Sequence, residues 1–204
     1  MVDASTFTNK IDDMINEGSS WAIEQHRRTN HYYDKYLPYE FHLRMVVEVF
    51  KDFKHLINGL FVDTREVHRG IWEDEDVTHK VIELACWGHD LIEDCRVSYN
   101  DCKEHFKIGH YLQNEVADII YAVSNEKGKN RAERGNSKYY EGIRNTPGAI
   151  FVKICDRIAN VQYSKMTKSR MFEMYKQENP HFLKSVNADM YPEMKQYLIN
   201  LFNT

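Results

Sequence analysis

The chain has 204 residues, of which 42% are hydrophobic and 28% are charged, with only 9 Gly and 4 Pro. This composition excludes collagen-like, low-complexity and disordered chains, and the scarcity of helix-breaking residues favours a mostly helical globule. The formal net charge of -4 leaves no broad positive field for a phosphate backbone, so nucleic acid is not an expected partner, whereas small anionic ligands remain compatible with the chain.

Hydrophobic periodicity predicts helices separated by short polar segments in the first half of the chain. These elements are helices over about 6–17 and 21–28 with a Gly-Ser-Ser break at 18–20, a polar loop over 29–39, a long helix from Glu40 to about Leu60, an acidic irregular segment over 63–76 and a helix over about 77–90. His42 therefore falls in a first helical turn, and His89 and Asp90 fall near the end of a helix.

The second half of the chain is also predicted to be helical. Its elements are a helix over about 99–106 that Gly109 terminates, a helix over 116–123, a basic solvated loop over 125–137, a helix over Gly148–Ser164 with Pro147 in its first turn, and two structural helices broken at Asn179-Pro180. Ser98 followed by Asp101 predicts a capping box.

Two general properties follow from residue usage. Four cysteines without a CxxC pair predict reduced, partly buried thiols rather than disulfides or a zinc site. No stretch has the apolar length of a membrane span, and the first ten residues are polar, so we expect a cytoplasmic protein with no membrane partner.

The most informative segment is Trp87–Asp94, in which one imidazole and three carboxylates lie among apolar side chains. On a helix, His89 lies four residues before Glu93 and Asp90 four before Asp94, which puts the later acids on the side of the His-Asp pair. Clustered carboxylates in an apolar setting are costly without a cation, so the segment indicates a bound metal ion. The alternative is a polar, solvated helix end.

Two further positions gain meaning only beside that segment. Asp156 and Asn160 share one face of a mostly apolar helix, and an ion pair of Asp156 with Lys153 or Arg157 explains this pattern as well as a metal ligand does. His42, taken alone, is better explained as a buried core histidine. The three positions together favour a metal site.

An early His, a later His-Asp pair and a distant Asp resemble the signature of HD-domain metal-dependent phosphohydrolases. Three motifs more closely resemble the RelA/SpoT-type guanosine polyphosphate hydrolases and their small stand-alone relatives: PYEFH at 38–42 is similar to PYxxH, HDLIED at 89–94 to HDxxED, and KICDRIAN at 153–160 to KLADRxxN. The similarity covers about 21–165. It implies an all-α fold, with 1–204 as a single HD-type helical domain and 166–204 as its C-terminal helices.

The resemblance implies a metal-dependent phosphohydrolase in which a metal-activated water attacks a nucleotide phosphate. Its metal ligands are expected to be His42, His89, Asp90 and Asp156. Such mixed nitrogen and oxygen ligands suit a first-row divalent ion, and Mn²⁺ is the ion that the resemblance implies, with Fe²⁺ as an alternative. Glu93 and Asp94 are expected to accept the proton of the attacking water.

A small-molecule nucleotide, foremost a guanosine 3′,5′-polyphosphate, is the implied substrate. Its expected contacts are Asn160, Tyr163, Lys35 and Lys138, and the basic loop Lys127–Lys138 is expected to neutralise the pyrophosphate leaving group. The chain departs from the family in the loop 31–35 before PYEFH, where Lys35 alone stands in place of an Arg-Lys pair, and in the inserted segment 63–76. The alternatives are a hydrolase for another nucleotide or phosphoester, and a non-catalytic nucleotide-binding module.

Overall fold

The computed structural model describes residues 4–57, 75–106, 114–125 and 128–203. These residues are predominantly helical, which confirms the predicted all-α class. The helices are α1 (Ala4–Arg28), α2 (Glu40–Phe53), α3 (Glu75–Gly88), α4 (Leu91–Asp94), α5 (Tyr99–His105), α6 (Glu115–Val123), α7 (Arg131–Arg134), α8 (Ser137–Asn145), α9 (Ala149–Met166), α10 (Met171–Val186) and α11 (Pro192–Leu201). Short 3-10 helices follow α2 at Lys54–Leu56 and α10 at Ala188–Met190.

A small antiparallel hairpin precedes α2. It consists of β1 (Tyr32–Tyr33) and β2 (Leu37–Pro38), with Tyr32 opposite Pro38 and Tyr33 opposite Leu37. The sequence predicted only a loop here, because two-residue strands produce no periodic pattern.

The helix α9 occupies the centre of the described bundle. It packs against α2, α3, α6, α8, α10 and α11. Its apolar residues Ile154, Ile158 and Val161 are completely buried in the core. Because α2 and α3 also pack against each other, the start of α2, the end of α3 and the middle of α9 come together. None of the described helices has the length and apolar character needed to cross a membrane.

The predicted break at residues 18–20 is wrong, because α1 is continuous from Ala4 to Arg28. Gly18 lies where this helix approaches α3 closely. A Cβ atom at Gly18 would lie 2.6 Å from Leu84 Cδ2 and 3.0 Å from Phe106 Cδ1. The glycine therefore serves close helix packing rather than chain reversal, a role that local sequence patterns do not distinguish.

Two glycine substitutions are expected to change stability in opposite directions. Alanine favours a helix interior by about 1 kcal/mol over glycine, but overpacking a core costs about 1–3 kcal/mol. Gly18→Ala is therefore expected to lower the free energy of unfolding by about 1 kcal/mol. Gly142→Ala, at an exposed position of α8 where the added Cβ meets no neighbouring residue within 4 Å, is expected to raise it by about 0.5–1 kcal/mol. Urea titrations of both variants test this, and stabilisation by Gly18→Ala would contradict it.

The predicted break at Asn179-Pro180 is also wrong. The helix α10 passes through Pro180 and ends at Val186, before Asn187 with a positive φ of 62°. A proline inside a helix removes one N–H donor and commonly breaks or kinks it. Here Phe182 and Val186, both buried beyond the proline, pack into the core and stabilise the continued helix.

Other local predictions agree in part with the structure. The Ser98–Asp101 capping box is confirmed, and all four cysteines are free and buried. The polar segment 125–137 contains the short helix α7 and is not simply a loop, while Pro147 precedes α9 instead of lying in its first turn. Gly109, Lys127 and residues 63–74 of the acidic segment lie outside the described residues.

Candidate active site

The two histidines of the candidate site are presented by different backbone features. His42 lies in the first turn of α2, as predicted. His89 and Asp90 do not lie within the helix predicted over about 77–90, because α3 ends at Gly88 and α4 begins at Leu91, so both residues occupy the intervening turn. The turn retains the i,i+4 relation that the sequence suggested, since the backbone N–H of Asp94 donates to the Asp90 carbonyl at 2.9 Å.

Nitrogen and oxygen ligand atoms from three segments converge at one buried point. His42, His89 and Asp156 form a group in which one potential ligand atom from each lies within 4.8 Å of the others. The two Nε2 atoms are 3.2 Å apart, and Asp156 Oδ1 lies 3.4 Å from His42 Nε2 and 3.8 Å from His89 Nε2. Asp90 Oδ2 lies 2.9 Å from His89 Nε2 and 3.6 Å from His42 Nε2.

Hydrogen bonds behind these side chains fix their orientation. His89 Nδ1 donates to the Cys86 carbonyl at 2.8 Å, so in the neutral ring Nε2 carries the lone pair that faces the cluster. Tyr39 donates its hydroxyl proton to Asp90 Oδ2. Outer partners of this kind are typical of metal sites, where they fix the tautomer and the rotamer of each ligand.

Asp156 is oriented by two neighbours on its own helix. Lys153 Nζ donates to Asp156 Oδ2 at 3.0 Å, and Asn160 Nδ2 donates to Oδ1 at 2.5 Å. The ion pair with Lys153 that the sequence offered as an alternative to metal binding is thus present. The ion pair uses Oδ2, however, while Oδ1 faces the two imidazoles. Asp156 can therefore pair with Lys153 and bind a metal ion at the same time.

The electrostatics of the cluster favour a cation. Burial opposes the charged imidazolium of His89, but Asp90 and Asp156 outweigh burial and raise its pKa to about 10. Burial would likewise raise the pKa of Asp156, yet Lys153 and the two histidines lower it well below its ordinary value. Two carboxylates that stay ionised in a buried site therefore stabilise positive charge beside them.

The acids Glu93 and Asp94 lie beside this cluster and line the same cavity. Glu93 accepts two 2.8 Å hydrogen bonds from Asn125 Nδ2, and Arg134 Nη1 lies 3.8 Å from it. Burial, together with the charges of Asp90 and Glu93, raises the pKa of Asp94 to about 7. Carboxyl groups with a pKa near the working pH are suited to proton transfer.

A cavity of about 500 Å³ opens onto the candidate metal ligands. His42, Asp90 and Asp156 line it together with Glu93 and Asp94. Four cationic side chains from α7 and α9 also line it, namely Arg131, Arg134, Lys153 and Arg157. Ligand pockets commonly have volumes of about 300–1,000 Å³. The cavity thus combines a candidate metal centre, acids and cations within the volume of a small-molecule site.

The four predicted substrate contacts differ in position. Asn160 lines the cavity, and its Oδ1 accepts a 2.9 Å hydrogen bond from Tyr33 of the hairpin. Tyr163 donates to Asp34 Oδ2 at 3.1 Å on the hairpin side. Lys35 is exposed between β1 and β2, and Lys138 is exposed in the first turn of α8. Tyr163, Lys35 and Lys138 are not among the residues that line the cavity.

Sequence reasoning missed the contribution of α10. The sequence predicts a structural role for the C-terminal helices, but four residues of α10 line the cavity, namely Tyr175, Glu178, His181 and Phe182. Glu178 stands beside the Asn-Pro pair that suggested a helix break. Its chemical role depends on arginines 21 and 47 residues away, and no local pattern signals such pairs.

Comparison with known proteins supports the fold. No family model matches the chain, and no curated protein has a matching sequence. A solved structure of a metazoan ortholog of SpoT, described as hydrolyzing ppGpp and playing a role in starvation responses, has the same overall fold, with a TM-score of 0.63 and 17% sequence identity. The match covers 93% of this chain and 94% of the other. At this identity the likeness establishes a shared helical fold.

Proposed function

We propose that the chain is a divalent-metal-dependent HD phosphohydrolase that acts on a small nucleotide. The observation that carries the proposal is the convergence of His42, His89 and Asp156 on one buried point, next to two further acids in a cavity. A purely structural histidine pair has no need of two ionised carboxylates beside it. The HD-type fold supports the same function by analogy.

The donor set fits a first-row divalent ion. Two imidazole nitrogens with carboxylate oxygens suit Mn²⁺ or Fe²⁺ better than Mg²⁺, which prefers oxygen ligands and retains its waters. We propose Asp90 as the fourth ligand, because its Oδ2 faces both imidazoles while Tyr39 holds it in place. When bound, such an ion supplies Lewis acidity to a phosphate and lowers the pKa of the attacking water.

Two acids of the chain, Glu93 and Asp94, then act on the attacking water and its proton. Asp94 accepts the proton of the attacking water, and Glu93, which lines the same cavity, orients that water. A bound cation would lower the Asp94 pKa and keep the group ionised. Asn125 and Arg134 hold Glu93, and the Arg134 guanidinium is available to a departing phosphate.

For the substrate we propose a guanosine 3′,5′-polyphosphate, cleaved to release pyrophosphate. The three motifs in the chain and the ppGpp-hydrolyzing structural neighbour both support this assignment. Arg131 and Arg134 of the basic segment line the cavity, and Lys35 is exposed on the neighbouring hairpin, where we propose that it contacts the nucleotide. The cytoplasmic location that the sequence suggests is compatible with such a substrate.

A nucleotide panel tests the substrate. With Mn²⁺ present, pyrophosphate release from guanosine tetraphosphate is expected to exceed phosphate release from nucleoside mono- and triphosphates. Lys35→Ala is expected to raise KM more than it lowers kcat, because an exposed cation contributes to binding rather than to the reacting atoms. Lys184→Ala, which removes an exposed cation of α10, is the matched control.

The opposite result has a definite meaning. If the enzyme hydrolyses a mononucleotide or dinucleotide and leaves guanosine tetraphosphate intact, the metal mechanism stands and the substrate assignment is wrong. One observation favours this second candidate. The Tyr33 hydroxyl donates to Asn160, and the Tyr33 ring stacks on that of His42 with the centroids 4.8 Å apart, so the hairpin fills space on that side of the site.

A further inference from the structure

Two arginines and one glutamate form a connected cluster on the wall of the cavity. Arg131 of α7 donates from Nε and Nη2 to the two carboxylate oxygens of Glu178, at 2.8 and 3.1 Å. Arg157 of α9 donates from Nη1 to Glu178 Oε2 at 3.1 Å. All three residues line the cavity that contains the candidate metal ligands. A single carboxylate thus accepts hydrogen bonds from two guanidinium groups.

The two arginines are held in different ways. Arg157 is buried, and its guanidinium carbon lies 4.8 Å from the ring centroid of Tyr175 and 4.3 Å from that of Phe182. Arg131 has a half-exposed side chain that also contacts Tyr175, at 5.6 Å. Planar guanidinium groups that are stacked on rings lose little further freedom when they bind an anion. Within this cluster, Arg157 is therefore held in place, and Arg131 is accessible to a ligand.

The charges of this cluster do not balance. Burial would raise the pKa of Glu178, but the hydrogen bonds and charges of Arg131 and Arg157 outweigh burial and lower it, so the carboxylate is ionised. Two positive charges and one negative charge leave an excess of one positive charge. By contrast, Arg134 and Lys153 in the same cavity each have a carboxylate of their own, Glu93 at 3.8 Å and Asp156 at 3.0 Å.

The bond between Arg131 and Glu178 has the geometry that arginine uses for phosphate. The Nε and Nη2 donors point in parallel at two oxygens of one anion, and this fork is the one that binds carboxylate and phosphate groups alike. Glu178 therefore occupies the position that a phosphate group would take on Arg131.

We propose that Arg131 and Arg157 form a phosphate-binding subsite, in which Glu178 is an internal counter-ion that the ligand displaces from Arg131. The subsite takes a phosphate or diphosphate group of the nucleotide other than the group that reacts at the metal centre. The identity of this ligand rests on the proposed function. The anion site itself rests only on the cluster and can be tested without hydrolysis.

Titration of the purified 204-residue chain with inorganic pyrophosphate tests the anion site. Arg131→Gln is expected to weaken pyrophosphate binding by about tenfold, because a bidentate charged contact is lost. Lys176→Gln removes one exposed positive charge from α10 and is expected to change the dissociation constant by less than about twofold. Metal contents of all variants are matched by elemental analysis. Equal affinities of the parent and Arg131→Gln would overturn the proposal.

Glu178→Gln separates a counter-ion from a residue that merely orients the arginines. If Glu178 is a displaceable counter-ion, its neutralisation is expected to strengthen pyrophosphate binding by about threefold or more. Glu173→Gln, at an exposed position of the same helix, serves as the control for the lost negative charge. Weaker binding by Glu178→Gln would mean that the carboxylate only positions Arg131 and Arg157, and the proposed displacement would be wrong.

Kinetics identify the source of the bound phosphate. If it belongs to the nucleotide, Arg131→Gln is expected to raise KM for guanosine tetraphosphate by about the factor seen for pyrophosphate, with kcat nearly unchanged. A change in pyrophosphate affinity without a change in KM would overturn the nucleotide assignment and leave free pyrophosphate as the occupant. If no nucleotide is hydrolysed at all, the proposed function fails, while the titrations still decide the subsite.

Discussion

Substitution of either His89 or Asp156 by alanine is expected to abolish metal binding and reduce phosphohydrolase turnover by more than about a hundredfold. The physical reason is the convergence of their ligand atoms with those of His42, all within 4.8 Å. Removal of one ligand leaves too few donors to compensate an ion for its lost hydration. Elemental analysis of the purified variants, together with Mn²⁺-dependent product release, measures both effects.

Folding controls keep this prediction interpretable. Asp156→Ala removes the acid partner of the partly buried Lys153, which can destabilise the fold, so Asp156→Asn provides a second variant of nearly the same shape. The matched surface controls are His55→Ala and Asp189→Ala, whose side chains are largely exposed. If folded His89→Ala and Asp156→Ala proteins bind as much Mn²⁺ as the parent, the proposed coordination is wrong.

The second large effect is expected for the acids beside the metal ligands. Glu93→Gln and Asp94→Asn are expected to retain the metal and the nucleotide but to lose about a hundredfold or more in turnover, because neither amide accepts a proton from water. Both changes preserve side-chain shape, and Glu93→Gln can still accept a hydrogen bond from Asn125. Steady-state kinetics, metal content and nucleotide binding of the same preparations separate chemistry from binding.

Glu104→Gln, at an exposed position on α5, is the control for loss of one surface carboxylate. Parental turnover in both site variants would assign Glu93 and Asp94 a structural role, such as holding the Asn125 segment and Tyr39. Loss of metal in either variant would instead make that acid a ligand, contrary to the assignment of Asp90 as the fourth ligand.

Two helix breaks predicted from local sequence are absent because tertiary packing outweighs local helix propensity. Gly18 and Pro180 are both common helix breakers, yet each lies inside a continuous helix. At Gly18 the missing side chain makes room for Leu84, and beyond Pro180 the burial of Phe182 stabilises the helix. In each case the decisive partner is distant in sequence, so a window of neighbouring residues does not contain it.

The amino-acid sequence by itself determined the all-α class and identified the residues of the candidate metal centre. It did so because imidazole and carboxylate groups are rare on apolar helix faces, and their order along the chain is a recognisable pattern. Only the tertiary structure decided which groups share the cavity with them. Arg131 donates a hydrogen bond to Glu178, and Tyr33 donates one to Asn160, which is 127 residues away in the chain. Such contacts depend on how the helices pack, which local periodicity does not encode.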